Sequence, residues 1–85
     1  MNNNKVLVKL YVPKIEMEYD VLIPINKRIN NVIPLLVRAV DELTRGYYHP
    51  SHPPMLYDKS NAKQYDLKDT IKSSKIRNGT ELIMI

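Results

Sequence analysis

Cysteine is absent from this 85-residue chain. That excludes a disulfide framework, a thiol nucleophile and a thiolate zinc site. Glycine is scarce, with only Gly46 and Gly79, so no phosphate-cradling loop can be built. No apolar run approaches the roughly 18 residues of a membrane span; the longest are of the Val6–Val8 and Leu82–Ile85 kind. The Met-Asn-Asn-Asn-Lys start has no apolar core of a signal peptide. A cytosolic chain is therefore expected, with no direct membrane insertion and any membrane contact made through a partner.

The length allows one domain and one core, here 1–85 with 1–4 as a disordered tail. A chain this size buries only about 60% of its unfolded surface, which leaves no material for a deep catalytic cleft. The net charge of +4 raises nucleic acid as a partner. The lysines are scattered, however, with one loose cluster of Lys68, Lys72, Lys75 and Arg77, and a solvated face accounts for them. A small basic nucleic-acid-binding or regulatory protein remains the alternative to a protein-binding module.

Hydrophobic spacing supplies the elements. Val6, Val8, Leu10 and Val12 alternate with Lys5, Leu7, Lys9 and Tyr11, and Met17, Tyr19, Val21 and Ile23 alternate with Glu18, Asp20 and Leu22. Both segments read as half-buried strands. A four-residue loop places Val12 opposite Met17, so the outward pairs become Tyr11–Glu18, Lys9–Asp20 and Leu7–Leu22. From Ile29 to Arg45 the period changes to 3.6, with Val32, Leu36, Ala39, Val40 and Leu43 on one side. Gly46 follows as a left-handed cap. Pro34 complicates the helix start: either Asn31 is the N-cap, or the helix begins at Ile29 or Asn30 and is kinked, and the preference of asparagine for the cap position favours Asn30 or Asn31 there.

The stretch Tyr47 to Pro54 holds three of the six prolines and both histidines, and it reads as a stiff ordered loop. Met55 to Tyr57 reads as a short strand, and a second short strand surrounds Lys63 to Tyr65. Leu67 to Ser74 suits one or two helical turns with Asp66 as cap; Asn78-Gly79 makes a turn, and Leu82 to Ile85 forms the last strand. The order fits an α+β architecture, a mixed sheet of four or five strands with one main helix packed across it, a short second helix, and the first and last strands parallel in the middle. That plan is the β-grasp.

With Ile29-Asn30-Asn31-Val32 opening the helix, Leu67-Lys68-Asp69 ahead of the last strand and Ile76-Arg77-Asn78-Gly79-Thr80-Glu81-Leu82 leading into it, the chain resembles ubiquitin. It is most similar to the YukD/EsaB family, small bacterial ubiquitin-like proteins associated with type VII (WXG100) secretion. The resemblance runs from about Val6 to Ile85. It departs from the family pattern in the Tyr47–Pro54 loop and in an interval before Asn78-Gly79 that is about one helical turn longer. It implies a non-conjugated interaction module serving as a cytosolic accessory component of a secretion machine, with a protein partner such as a membrane component of that machine.

Catalytic constellations are missing, since Ser73 and Ser74 lack a nucleophile context and Glu16, Glu18 and Asp20 face no partner acid. No enzyme activity and no cofactor are expected. His49 and His52 lack a nearby third ligand, so no metal site is assigned. The candidate partner-binding residues are Leu7, Leu22, Ile83 and Ile85 on the outer sheet face, joined by Tyr57, with Tyr47 and Tyr48 on the stiff loop as a second epitope. Ubiquitin presents an apolar patch on the corresponding face, so the resemblance points to the same surface; scattered surface hydrophobes are the plain alternative. The helix carries an apolar arc of about 200°, wider than one sheet covers. Ile33 with Val37, or else Leu35, should stay partly exposed unless the loop or a second copy in a homodimer covers them.

A conjugatable modifier needs a flexible Gly-Gly end, and this chain ends in Met84-Ile85. Incubated with an activating enzyme and ATP, it should give neither an adenylate nor an isopeptide adduct by mass spectrometry.

Overall fold

The computed structural model describes residues 4–85. Strands β1 (Lys5–Val12) and β2 (Met17–Pro24) are joined by a 3₁₀ turn at Pro13–Ile15, and helix α1 spans Ile29–Leu43. Two short strands, β3 (Leu56–Asp58) and β4 (Glu81–Met84), complete a four-stranded sheet in the order β2-β1-β4-β3. β1 pairs with β2 in the antiparallel register that the alternation predicts, Val12 opposite Met17 and Leu7 opposite Leu22. β4 lies parallel to β1, with Leu10 beside Leu82. This is the ubiquitin-like β-grasp.

The core follows the alternation. Val8, Leu10, Val12, Ile23, Leu82 and Met84 from the sheet meet Ile29, Val32, Ile33, Leu36 and Val40 from the helix, all buried. Of the remaining core positions, Leu56, Ile71 and Ile76 come from β3 and the long connection that follows it, and Tyr48 from the loop after the helix. Asn4, placed in the tail by the sequence, instead accepts a hydrogen bond from the Ile25 N–H at 2.8 Å. The other residues of that expected tail lie outside the described ones.

The helix start differs from the favoured reading. The N-cap is Arg28, with no side-chain cap bond, and neither asparagine is needed there. The reason is tertiary: the Ile29 N–H donates to the Asp69 carbonyl at 2.8 Å and the Asn30 N–H to the Leu67 carbonyl at 3.1 Å. Open donors at a helix N-terminus must find acceptors, and here they lie about forty residues further along the chain. The earlier start puts Pro34 inside the helix, where its ring deprives the Asn30 carbonyl of the usual intrahelical donor.

At the other end the helix stops at Leu43, two residues before the expected Arg45. Arg45 donates to the Glu42 carbonyl and Gly46 to the Asp41 carbonyl, the paired bonds of a Schellman cap. Both residues have positive φ, 54° at Arg45 and 83° at Gly46, so the left-handed cap begins one residue before the glycine. Leu43, expected in the core, is 58% exposed. The chain turns back immediately after it, and Tyr48, its N–H held by the Thr44 hydroxyl at 3.1 Å, enters the core.

The connection between β3 and β4 corrects two further expectations. Lys63–Tyr65 forms a single bridge, Tyr57 to Gln64, instead of a strand. Leu67–Ser74 is not a helix, because its backbone groups bond to the chain ahead of α1: Ile71 N–H to the Lys27 carbonyl, Lys72 N–H to the Ile25 carbonyl, and a bridge from Thr70 to Arg28. Asp66 does act as a cap, but of a turn, through its carboxylate and the Lys68 N–H at 2.9 Å.

Leu36 is 3% exposed, so Leu36→Ala should cost about 2 to 5 kcal/mol, a large share of a small domain's stability. Leu43→Ala should change it by no more than about 0.5 kcal/mol. Urea midpoints for the two variants check the assignment.

Candidate protein-binding face

The outer face of the sheet is organised in rows, because cross-strand neighbours on one face lie side by side. At one end Leu7 on β1 stands opposite Leu22 on β2, 47% and 63% exposed. The next row is charged: Asp20, Lys9 and Glu81 are neighbours across β2, β1 and β4, with Lys9 and Asp20 paired at 3.5 Å. Beyond it lies the row Glu18, Tyr11, Ile83 and Tyr57. The backbones of Met55 and Ile85 exchange hydrogen bonds at 2.8 and 3.0 Å, which extends this apolar end past β3.

The candidates from the sequence therefore do not converge into one patch. Leu7 and Leu22 form one group, while Ile83, Tyr57 and Ile85 form another with Tyr11, and the charged row separates them. Lys59 reinforces that separation. Its ammonium reaches Glu18 at 3.6 Å and Glu81 at 3.8 Å and lies 5.2 Å from the centre of the Tyr11 ring. A single flexible cation thus spans the strands. The pairs are solvent-exposed, so each is worth little, and they can yield to a partner's charges. Pairing across a loop this distant in sequence left no local signal for Lys59.

The second expected epitope is halved. Tyr47 is 77% exposed, whereas Tyr48 is 3% exposed and packs in the core, and burial raises its phenol pKa. A tyrosine serving as a core residue offers nothing to a partner. The loop instead covers one flank of the helix. Ile33, Pro34 and Val37 line an apolar groove of about 380 Å³ with Pro50, His52 and Pro54, and Ile33 is buried. Leu35, on the opposite flank, is 42% exposed. Among the described residues no group of three or more His, Cys, Asp or Glu is placed to hold a metal ion. No described helix is long and apolar enough to cross a membrane.

At the β3 edge Asp58 organises the turn that follows it. Its carboxylate accepts the Ser60 hydroxyl at 2.6 Å and the Ser60 N–H at 2.8 Å, and these bonds hold it below the usual carboxylate range. Tyr65 is pushed up to about 12, mainly by burial and then by the charge and hydrogen bonding of Asp58. The folded state therefore holds the phenol proton more tightly than the unfolded chain does.

The fold is that of a ubiquitin-like domain. No family model matches the chain, and no curated protein does. Solved structures do. The chain is similar to the EccD5 ubiquitin-like domain from Mycobacterium xenopi, with TM-score 0.79, 13% identity, and coverage of 95% of this chain and 92% of that one. It is also similar to the ubiquitin-like domain of the Mycobacterium tuberculosis type VII secretion system protein EccD1, with TM-score 0.75, 11% identity, and coverage of 95% and 97%. A third match, at TM-score 0.80 and 12% identity, is to a chain of the MycP5-free ESX-5 inner membrane complex; it covers 96% of this protein but only 21% of that chain.

Because the Tyr65 pKa is raised, its contribution to stability is complete below pH 10 and is lost as pH rises from 10 towards 12. In a spectrophotometric titration Tyr65 should ionise near 12, and Asp58→Asn should lower that value only in part, because the burial that contributes most remains.

Proposed function

We propose that this protein is a non-conjugated, non-catalytic ubiquitin-like interaction module and a cytosolic accessory component of a bacterial type VII secretion system. The observation that carries the reading is the similarity of nearly the whole chain to ubiquitin-like domains of EccD proteins, one match being to a chain of an inner membrane complex. The resemblance of its sequence to the YukD/EsaB family points the same way.

The outer sheet face supports a binding role. Leu7 and Leu22 place two large apolar side chains side by side in water, an arrangement that gains free energy when a partner covers it. The neighbouring charged row gives the contact its orientation. The adjacent hydroxyls of Ser73 and Ser74 are engaged in holding a turn, since both donate to the Thr70 carbonyl, at 3.1 and 2.7 Å. In this reading the partner is a membrane component of the secretion machine, held without a covalent bond.

In the host bacterium the tagged protein should co-purify with type VII membrane components. Leu7→Ser and Ile83→Ser, made singly and together, should reduce that recovery roughly tenfold or more while leaving the far-UV spectrum unchanged. Normal recovery with the double variant would remove the face from the reading. Retention on nucleic acid that falls steeply with salt would favour the basic-protein alternative.

A further inference from the structure

The two edges of the sheet are not alike. At β3 the outer side is closed, since Tyr65 N–H donates to the Leu56 carbonyl, Asp58 N–H to the Lys63 carbonyl, and Tyr57 bridges to Gln64. At β2 no described residue pairs with the outer side. Which groups it offers follows from hydrogen-bond parity. In an antiparallel ladder the residues of a strand point their N–H and C=O groups alternately to one neighbour and the other. Gly79 N–H donates to the Leu7 carbonyl and Lys9 N–H to the Thr80 carbonyl, so Leu7 and Lys9 are directed towards β4. Their β2 opposites, Leu22 and Asp20, therefore direct their own backbone groups away from β1, and so does Glu18. The Ile25 N–H to Asn4 carbonyl bond fixes the same parity at the other end. Pro24 falls on an outward position, where the missing N–H costs no ladder bond and marks where the free edge stops.

This edge has a chemical character of its own. In a chain of net charge +4, residues 15–26 contain Glu16, Glu18 and Asp20 and no lysine or arginine. Glu18 and Asp20 stand on the outer face of β2 and are exposed, and their ion pairs with Lys59 and Lys9 are solvent-exposed pairs that a partner's cations can replace. On the inner face the cover thins along the strand: Ile23 is buried, Val21 and Tyr19 are half-buried, and Met17 is 47% exposed. An added strand would thus meet acid on one side and uncovered apolar surface on the other. A second copy fits poorly, because two antiparallel β2 edges centred on Asp20 bring acid against acid.

We infer that the free edge of β2 binds an extended peptide segment whose residues alternate basic and apolar, taken up as an added strand on the N–H and C=O groups of Glu18, Asp20 and Leu22. The inference rests on the protein-binding reading above. The partner's basic side chains lie beside Glu18 and Asp20, and its apolar ones beside Met17, Tyr19 and Val21. The backbone bonds supply the affinity, and the alternation supplies the specificity.

The test is amide exchange on the ¹⁵N-labelled full chain with the capped peptide Val-Lys-Ile-Lys-Val. Exchange should slow at Glu18, Asp20 and Leu22 and stay unchanged at Tyr19 and Val21, whose N–H groups already face β1. The acidic counterpart Val-Glu-Ile-Glu-Val should bind roughly tenfold more weakly. Asp20→Pro, which deletes an edge donor but no β1 ladder bond, should abolish the protection. Should that variant unfold, Glu18→Lys with Asp20→Lys should reverse the preference to the acidic peptide. Absence of the alternating protection, equal binding of both peptides, or the same protection growing with protein concentration in the absence of peptide would each overturn the inference. Serine at Leu7 and Ile83 leaves these backbone groups in place, so failure of the sheet-face reading would be seen separately.

Discussion

The parallel pairing of β1 with β4 is the contact on which the rest of the molecule depends. β4 has four residues and β3 three, and neither would persist as an isolated strand. Docking beside β1 buries Leu82 and Met84 completely enough to anchor β3 through Leu56 opposite Met84. The same two central strands form the floor against which α1 lays Val32, Leu36 and Val40. Gly79 and Asn78 tie the start of β4 to Leu7 by 2.8 and 2.7 Å bonds, which fixes the register with Leu10 beside Leu82. The rows of the outer face, and hence the separation of its two apolar groups, follow from that register.

Much of this was legible in the sequence because it is local. The period of two in Val6–Val12 and Met17–Ile23 determines both the strands and their facing residues, and the loop length then determines the Lys9–Asp20 and Leu7–Leu22 pairs. What escaped is carried by contacts between distant segments. Asn30 is an excellent cap in isolation, but the carbonyls of Leu67 and Asp69 already serve the helix start. Leu67 and Ile71 have helical spacing, yet their segment satisfies its backbone against Ile25–Arg28. Tyr48 and Tyr47 are adjacent and chemically identical, and only the position of the helix end decides which one is core. Lys59 carried no local sign of its reach to Glu18, Glu81 and Tyr11.

The Leu67-Lys68-Asp69 step has a physical reason in this chain that is separate from any partner. Two of its carbonyls accept the first free amides of α1, and Ile71 just beyond it is fully buried. The outer sheet face is held internally only by solvent-exposed ion pairs, Lys9–Asp20 and Lys59 with Glu18 and Glu81. Structural demand thus accounts for the residues beneath the helix and around its start.

The position of the last strand in the middle of the sheet also has a consequence for synthesis. A nascent chain appears from its N-terminus at about 5 to 20 residues per second, so the β1–β2 hairpin is complete long before β4 exists. For several seconds, on that scale, β1 exposes the edge on which Leu7 and Lys9 will later be paired, and the helix start lacks the carbonyls of Leu67 and Asp69. The domain therefore closes only when nearly all of it has been made. During that interval the most adhesive surface of the protein is its own future centre, and Lys5 and Lys9 are the charges that stand along it.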